Sequence, residues 1–413
     1  MRMKFNKSSQ LLLVSAASLL VAVLITACGT ATVDFVFVTS SRAAGTNNYG
    51  EIDVFEINGV SGAMRQIPSS PFPSAGRNPV AEAVSSDNAN LYVVNQDDNT
   101  IVQFMIGSDG KLYPQNTVNT PGIFPLAAAV NGSNLFVVDT YQPLPACSSA
   151  SPCSGSVGVF PLAAASGTGS SATPGGAPGP TPVANGSLNY WPLTMPSSPN
   201  DVILPTGVNV LASGAYLYVT AYDTTANAGY VFGFTIGTGG VLSAVSGSPF
   251  SVGVHPSAIA SDSTSSYVYV TDSASGNVRG YSVVASGVLS PLSGSPYPAG
   301  NQPSAIVVDP KYPFVYVANS LDGNVSAYSI GSSGALTSVG TYATGIQPVA
   351  IGIDPGTDHF VFTVNFLGNG ANGTVSDFEM STTAGTLINT QHSPYSSNAL
   401  PTAVAAVPHN VTP

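Results

Sequence analysis

Charged side chains are scarce in this sequence: Asp, Glu, Lys and Arg make up only 7% of its 413 residues. Nine residues are cationic and 20 are acidic, which gives a formal net charge of −11. Such a surface repels phosphate backbones, so we expect no nucleic-acid partner. The chain has just three Cys and four His. It also lacks zinc-ligand spacings, an Asp-rich calcium loop, a Gly-x-Ser-x-Gly elbow and a phosphate-binding Gly loop. We therefore predict neither a metal nor a cofactor.

Glycine and proline, by contrast, are abundant. The sequence contains 43 Gly and 33 Pro, and 44% of its residues are apolar. Turn formers at this density, together with enough apolar residues for a large core, favour many short strands joined by tight turns. An all-β domain of this length can be a single unit.

The start of the chain combines a basic segment with an apolar run. Arg2, Lys4 and Lys7 precede the stretch from Leu11 to Ile25, which is too short to be a comfortable membrane span. Residues 25–29 then read Ile-Thr-Ala-Cys-Gly, which resembles the bacterial lipobox. The resemblance implies that residues 1–27 are a signal peptide and that Cys28 is lipidated. The alternative is an ordinary signal peptide with a chance Cys.

Lipidation would make the mature protein an exported one, anchored to the bacterial membrane. Residues 28–33 would then form the anchor and a short linker. Gly29, rather than Asp, after the Cys resembles outer-membrane sorting, with the protein facing the periplasm or the outside. Loss of the basic leader leaves six cationic residues against 20 acidic ones, a net charge of −14.

The two remaining cysteines, Cys147 and Cys153, lie close together in a Pro/Ser-rich stretch. In an oxidising compartment such a pair forms a local disulfide, and this is the pairing we predict. A metal site is the alternative, but it needs more ligands, and no His or third Cys is near in sequence.

One short strand pattern, rich in β-branched and aromatic residues, recurs seven times along the chain. The copies are Val36–Ser40, Leu91–Asn95, Leu135–Asp139, Leu217–Ala221, Val268–Asp272, Val315–Asn319 and Val361–Asn365. Before each copy except the first stands a Pro followed by small apolar residues, and after each copy come a turn and another strand. Each unit therefore has four strands, here called A to D from first to last, and forms one propeller blade.

The chain ends indicate how the ring closes. The first copy lacks strand A, whereas an unpaired strand A, Pro401–Val407, follows the last copy. Joining the two would remove the exposed edges. We predict an all-β, seven-bladed β-propeller of four-stranded blades over residues 34–408, with a tail at 409–413. The Ala/Gly/Ser/Thr/Pro-rich residues 163–199 are expected to be a loop inserted between strands C and D of the third blade, with Tyr190-Trp191-Pro192 returning as strand D.

The repeats resemble the seven-bladed propellers of 6-phosphogluconolactonase and the carboxymuconate cyclases, and their non-enzymatic relatives named after a Tyr-Val-Thr-Asn strand. Residues 269–272 (Tyr-Val-Thr-Asp) and 316–319 (Tyr-Val-Ala-Asn) carry that signature most closely. The resemblance covers the mature chain and implies the fold. It implies activity only weakly, because propeller function depends on the loops.

The B–C and D–A loops share one face in a propeller, and this face holds the longest loops of the sequence. The residues that precede the strand-A prolines should surround the channel mouth. They are Asn78, Phe124, Leu204, His255, Gln302, Gln347 and Leu400. We take Asn78, Gln302 and Gln347, together with Arg42 of a B–C loop, as candidate ligand-binding residues. His255 is the only titratable member of the ring, and either a solvated or a catalytic role suits it.

Glu82 is the main anomaly of the repeats. Three residues after the strand-A Pro, the other copies have Ala, Val or Ile. A carboxylate there needs a partner or channel water, and Arg77 is the nearest cation in sequence. Glu82 could be a general base assisted by Arg77, one half of a structural ion pair, or a channel-facing Glu that only meets water. The Asx residues that end several B strands are expected to cap the turn that follows.

Two functions remain open at this stage. The first is a monomeric, membrane-anchored binding or scaffold module for an envelope glycan or protein. The second is a hydrolase of a neutral lactone that uses Glu82, Arg77 or His255. A phosphorylated lactone is disfavoured, because Arg42 and Arg77 are the only cations expected on the loop face.

Overall fold

A computed structural model describes residues 32–42, 48–163, 176–179, 181–368 and 372–409. The predicted signal peptide, Cys28 and the last four residues of the predicted tail lie outside this part of the chain. The described residues form 32 strands and one 3-10 turn, Thr238–Gly240, and no α-helix. The chain is thus an all-β protein, as the sequence predicts.

The strands, numbered in chain order, form seven sheets arranged as propeller blades. Blade 1 contains β1 (Thr32–Ser41), β2 (Tyr49–Asn58), β3 (Met64–Gln66), β4 (Phe72–Arg77) and the last strand of the chain, β32 (Leu400–Pro408). Blade 2 contains β5 (Pro79–Val84), β6 (Asn90–Asn95), β7 (Thr100–Ile106) and β8 (Leu112–Asn119). Blade 3 contains β9 (Ile123–Asn131), β10 (Asn134–Tyr141), β11 (Ser156–Pro161) and β12 (Trp191–Pro192). Blade 4 contains β13 (Ile203–Val210), β14 (Tyr216–Asp223), β15 (Ala228–Ile236), β16 (Leu242–Ala244) and β17 (Phe250–Ser251).

The other three blades follow the same plan. Blade 5 contains β18 (Pro256–Ser261), β19 (Tyr267–Asp272), β20 (Asn277–Val283), β21 (Leu289–Pro291) and β22 (Tyr297–Pro298). Blade 6 contains β23 (Pro303–Val308), β24 (Phe314–Asn319), β25 (Asn324–Ile330) and β26 (Leu336–Ala343). Blade 7 contains β27 (Ile346–Ile353), β28 (Phe360–Leu367), β29 (Thr374–Met380), β30 (Leu387–Asn389) and β31 (Tyr395–Ser396). The seven-bladed propeller of four-stranded blades is thereby confirmed.

The ring closes through strands from the two ends of the chain. Strand β1 pairs with β2 on one side and with β32 on the other, in a register that runs from Asp34↔Pro408 to Ser41↔Leu400. The pairing gives blade 1 its inner strand. Without it, the β1 edge on the channel side would be unpaired.

In blades 1, 4, 5 and 7 strand D is split into two pieces that both pair with strand C. The break falls at a Ser-Pro pair, because Pro has no N–H to continue the ladder. The Ser hydroxyl takes over as acceptor for the strand-C N–H groups. The donors are Val54, Gly233, Gly280 and Asp377, at 2.8 to 3.0 Å from Ser70, Ser248, Ser295 and Ser393.

Every inner strand contains a β-bulge directly after its Pro. In blade 2, for example, Pro79 pairs with Asn95, and Ala81 is the next residue to pair, with Val94. Pro cannot donate to the ladder, which makes it a natural place for a bulge. The third residue after each Pro therefore has an equivalent position in all seven blades. In six blades it packs in the seam with the preceding blade.

A ring of glycines joins neighbouring blades at the C–D turns. Each has a positive φ and lies against the start of strand B in the preceding blade, and the set is Gly62, Gly110, Gly176, Gly240, Gly287, Gly334 and Gly385. In four of them the carbonyl also accepts a hydrogen bond from a buried Tyr hydroxyl, for example Tyr269 to Gly334 at 2.8 Å. The Tyr of the repeat motif thus ties one blade to the next.

The inserted residues of blade 3 are built onto this ring. Gly176 occupies the turn position, and its carbonyl accepts from Tyr92 at 2.5 Å. Trp191 returns as strand D opposite Val157, and Val183 packs against the core between blades 3 and 4. Residues 164–175 and 180, in the same predicted insertion, lie outside the described part.

Substitution of a turn glycine should destabilise the propeller strongly. At Gly334, with φ +80°, a Cβ atom would overlap the Tyr267 ring. Gly334→Ala should therefore lower the free energy of unfolding by about 2–4 kcal/mol, through backbone strain and overpacking. Gly239→Ala is the matched control, because Gly239 has φ +70° with no atom near its Cβ position, and should cost only about 1 kcal/mol. Denaturant unfolding measures both, and equal losses would contradict the packing role.

Candidate functional site

The candidate site lies where the inner strands begin, at the face formed by the B–C and D–A loops. Four of the seven mouth residues have a left-handed backbone, with φ between +50° and +58°: Asn78, Phe124, Gln302 and Gln347. This conformation is uncommon for residues other than glycine and disfavoured before Pro. It turns the chain from strand D into the bulged inner strand.

Buried Asx side chains at the ends of the B strands hold the D–A loops in place. Asp272 accepts hydrogen bonds from the N–H groups of Val254 and His255, each at 3.1 Å. Asp139 accepts one from Gly122 and Asn319 one from Gly300, each at 3.0 Å. The prediction that these side chains cap the turn that follows was incomplete. Asp272 does accept from the Ser275 hydroxyl at 2.9 Å and from Ser275 N at 3.4 Å in that turn, but it also holds the D–A loop through Val254 and His255.

Glu82 occupies the seam position that aliphatic residues fill in the other blades, as the sequence indicates. One carboxyl oxygen, Oε2, makes a very short hydrogen bond with the Thr39 hydroxyl of blade 1. The other oxygen, Oε1, is shielded from solvent and has no hydrogen-bond partner among the described residues. The side chain thus lies between blades 1 and 2, with one polar atom unsatisfied.

Burial raises the pKa of Glu82 to about 8, and the hydrogen bonds from Thr39 and the Ala405 backbone only partly oppose it. The carboxyl group is therefore largely protonated at neutral pH. A protonated carboxyl donates a hydrogen bond rather than accepting a proton. The general-base role foreseen for Glu82 would accordingly begin only near pH 8.

Arg77 does not meet Glu82, so the ion pair considered from the sequence does not form. Its side chain pairs instead with Asp98, with Nη2–Oδ1 and Nε–Oδ1 distances of 2.5 and 2.7 Å, and its backbone N–H donates to Asp98 Oδ2 at 2.7 Å. Arg77 ends β4 of blade 1, and this position directs it to the B–C turn of blade 2. The cation that was to assist Glu82 is thus engaged elsewhere.

Arg42 is paired as well, with the almost fully buried carboxylate of Glu51. Indeed, each of the six Lys and Arg residues in the described part of the chain forms an ion pair with an acidic residue. The loop face therefore offers no uncommitted cation within the described residues. It cannot neutralise a phosphate group without breaking an existing pair.

The side-chain amides at the mouth differ in whether they already form hydrogen bonds within the protein. Asn78 donates to Gln96 and Asp97, at 3.2 and 3.1 Å. The side chains of Gln302 and Gln347 make no hydrogen bond within the described residues, and Gln302 is exposed. These two amides, from adjacent blades, are available to a ligand both as donors and as acceptors.

His255 belongs to a small polar and aromatic group between blades 4 and 5. Its Nδ1 lies 3.2 Å from the Ser273 hydroxyl, and its ring lies 4.5 Å from that of Tyr222. Sequence reasoning missed Tyr222, Ser273 and Thr39. Tyr222 had a signal, because it directly follows the strand Leu217–Ala221 and so had to lie near the mouth. Ser273 had the same signal, because it directly follows the equivalent strand Val268–Asp272. Nothing in the sequence marked Thr39.

Two further findings concern the rest of the molecule. Cys147 and Cys153 are joined in a disulfide, with Cα atoms 5.5 Å apart, in the B–C loop of blade 3. Among the described residues there is no group of His, Cys, Asp or Glu that could hold a metal ion. The same residues contain no helix with the length and hydropathy needed to cross a membrane.

Comparison with known proteins agrees with this fold. The family model of the seven-bladed β-propeller lactonases matches residues 288–404, so the resemblance seen in the repeats is confirmed. No curated protein sequence matches the chain.

Solved structures match over nearly the full propeller. A candidate 6-phosphogluconolactonase from Bacteroides fragilis is 20% identical, with a TM-score of 0.67, and the match covers 92% of this chain and 99% of that one. The periplasmic gluconolactonase of Pseudomonas aeruginosa is also 20% identical, with a TM-score of 0.66 and coverages of 91% and 99%. Similarity at this identity shows a common fold. The chain is a seven-bladed β-propeller, and its residues 288–404 match the lactonase family model.

Proposed function

We propose that this protein is an exported, lipid-anchored propeller that binds an uncharged, hydroxyl-rich ligand, such as a neutral glycan, at its loop-face mouth. The observation that carries the proposal is the combination of two free amides, Gln302 and Gln347, with the pairing of every nearby cation. Amides recognise hydroxyl groups as both donor and acceptor. The exposed carboxylates of the face, such as Asp97 and Asp322, repel anions.

Hydrolysis of a neutral lactone is the second candidate. It is favoured by Glu82, whose protonated carboxyl has one unsatisfied oxygen beside the inner strands. It is also favoured by the match to the lactonase family model and by the fold shared with a periplasmic gluconolactonase. In this function Glu82 would polarise the lactone carbonyl as a hydrogen-bond donor, with water as the nucleophile.

The test uses the soluble form of residues 29–413 with a panel of neutral oligosaccharides and neutral and phosphorylated lactones. Calorimetry follows binding, and a pH-stat follows hydrolysis. The double variant Gln302→Ala/Gln347→Ala should weaken binding by about tenfold or more, since two hydrogen bonds are lost. Gln115→Ala, at an exposed site on an outer strand, is the matched control and should bind like the wild type.

The outcomes separate the two candidates. Binding without turnover, lost in the double variant and kept in the control, supports the binding function. Turnover that Glu82→Val abolishes supports the hydrolase, because Val, the residue found at the equivalent position of two other blades, cannot donate a hydrogen bond. Tight binding only to phosphorylated lactones, or equal loss in the control variant, would overturn the assignment of the mouth.

A further inference from the structure

The distance between Cys28 and the folded domain is short. Strand β1 begins at Thr32, so only residues 29–31 separate the predicted lipid attachment site from the first strand. Four Cα–Cα steps of 3.8 Å span at most about 15 Å. A lipidated Cys28 would therefore keep the start of β1 close to the membrane surface.

The start of β1 lies on the face opposite the mouth. Thr32 pairs with Asn58, which leads into the C–D turn of blade 1, and Asp34 lies beside Gly356 of the A–B turn of blade 7. Phe35 packs against Gly110 of the C–D turn of blade 2. The face that carries the A–B and C–D turns is therefore the one at which the chain enters the propeller.

The mouth is far from this point. Strand β1 has ten residues, and at about 3.3 Å per residue it carries the chain roughly 30 Å to the loop face. Ser41, at its far end, pairs with Leu400, a predicted mouth residue. The attachment point and the candidate site thus occupy opposite ends of one strand.

The entry point carries an apolar residue suited to a bilayer surface. Val60, in the C–D turn of blade 1, is 93% exposed, the highest value among the large hydrophobic residues that are described. The neighbouring Gly59 packs on Val33. The cations of this region are paired, Arg65 with Glu56 and Lys111 with Asp109, so the contact argued here depends on the short tether and Val60 rather than on attraction to anionic lipid.

We infer that the turn face of blade 1, around Val60, rests on the membrane and that the mouth points away from it. The inference rests on the proposed lipidation and goes beyond it, because a lipid anchor alone does not fix an orientation. The orientation is fixed by the short tether together with the insertion of the exposed Val60 side chain into the bilayer surface. The ligand would then come from the aqueous phase or from a facing structure rather than from the same bilayer.

Lipid-borne quenching tests the orientation. The full-length lipoprotein, labelled with radioactive palmitate to verify acylation, is purified and reconstituted into phosphatidylethanolamine/phosphatidylglycerol vesicles that contain a nitroxide on the headgroup. A bimane probe is attached at Val60→Cys or, as the matched control, at Leu321→Cys, which is 69% exposed in the B–C turn of blade 6. The introduced thiol is the free one, since Cys147 and Cys153 are bridged.

We expect the nitroxide to cause a large loss of fluorescence at Val60→Cys and none at Leu321→Cys. Insertion of about 20 Gly/Ser residues after Gly29 should restore the Val60 signal, because a coil of that length spans about 25 Å. With palmitate incorporated, equal quenching at both positions, or quenching at neither, would overturn the orientation alone. A protein without palmitate would overturn the anchoring proposal and this inference together.

Discussion

The free energy of unfolding should fall by at least about 3 kcal/mol as the pH rises from 5 to 8, against the usual behaviour of an acidic protein. Burial raises the pKa of Asp34, Glu82 and Asp377 to about 8, and that of Asp139 to about 7. The unfolded chain titrates these groups near pH 4. Between the two values the unfolded state releases protons that the folded state retains.

The sign follows from the direction of these shifts. Below about pH 4 the carboxyls are protonated in both states, and their full contribution to stability is present. As the pH rises towards 8 the unfolded state is favoured by up to about 1.4 kcal/mol per pH unit for each group. One such group alone accounts for a loss of about 3 kcal/mol in the free energy of unfolding between pH 5 and 8. The other groups add less than their full share, because the structure relaxes and water enters around them as they ionise.

Carboxyl groups whose pKa is lowered in the folded state limit the increase in stability at low pH. Burial acts against the charged form of Asp272, but the N–H groups of Val254 and His255, with Ser275 and Arg279, together outweigh it and lower the pKa. The stability that Asp272 contributes is present above about pH 4 and is lost as the pH falls through its folded value. The maximum of stability should therefore lie near pH 5.

Urea unfolding at half-unit steps between pH 4 and 9 measures the curve. Glu82→Gln imitates the protonated side chain, so it should flatten the decline between pH 5 and 8 and leave the stability at pH 5 nearly unchanged. Asp322→Asn is the control. The pKa of Asp322 is lowered by the Asn301 backbone N–H and side-chain amide, so its replacement should lower the stability by a constant amount above about pH 4 and leave the slope between pH 5 and 8 unchanged. A curve that rises from pH 5 to 8 would refute the prediction.

The fold could be predicted from the sequence because each blade carries the same pattern of strand and turn residues. A B strand is buried on both faces, so it reads as a continuous apolar run, and Val268–Asp272 lies within the observed Tyr267–Asp272. The first blade lacked an inner strand, and the unpaired strand Pro401–Val407 was the segment left to fill that position. Both inferences need only the local pattern of apolar residues and the requirement that the backbone groups at strand edges find hydrogen-bond partners.

The contacts of the candidate site were harder to predict from the sequence, because they join residues that are distant along the chain. Glu82 stood out against its repeat equivalents, yet its partner Thr39 lies in another blade, 43 positions away. Arg77 is five residues from Glu82 but is held by Asp98, which a different loop supplies. Proximity along the chain was a poor guide there, since the bulge after Pro79 turns the backbone between the two residues.

Asp34 shows what the repeats could not reveal. It has no exposed surface, and burial together with the nearby Asp354 raises its pKa. Asp354 itself accepts four hydrogen bonds, from Thr357, His359 and Phe360. The pair forms only when the ring closes and brings blade 1 against blade 7. Closure thus creates the electrostatic environment that makes the first prediction large.

Replacement of Cys28 should move the protein almost completely from the membrane fraction to the soluble fraction. Three acyl chains, at about 0.8 kcal/mol per buried CH₂, hold a lipoprotein far more firmly than one exposed valine can. Cys28→Ser removes the sulfur that would carry the diacylglycerol and leaves residues 32–409 unchanged. Fractionation with immunoblotting and palmitate labelling measures the shift.

The matched control is Cys147→Ser/Cys153→Ser, which removes the only disulfide among the described residues and should keep the protein in the membrane fraction with its label. Retention of the Cys28→Ser variant in the membrane fraction would contradict the anchor and would point to a contact made by the propeller itself. Release of both variants would attribute the loss to the fold rather than to lipid. The prediction therefore separates a covalent anchor from a protein surface, because only the former depends on a single sulfur atom outside the propeller.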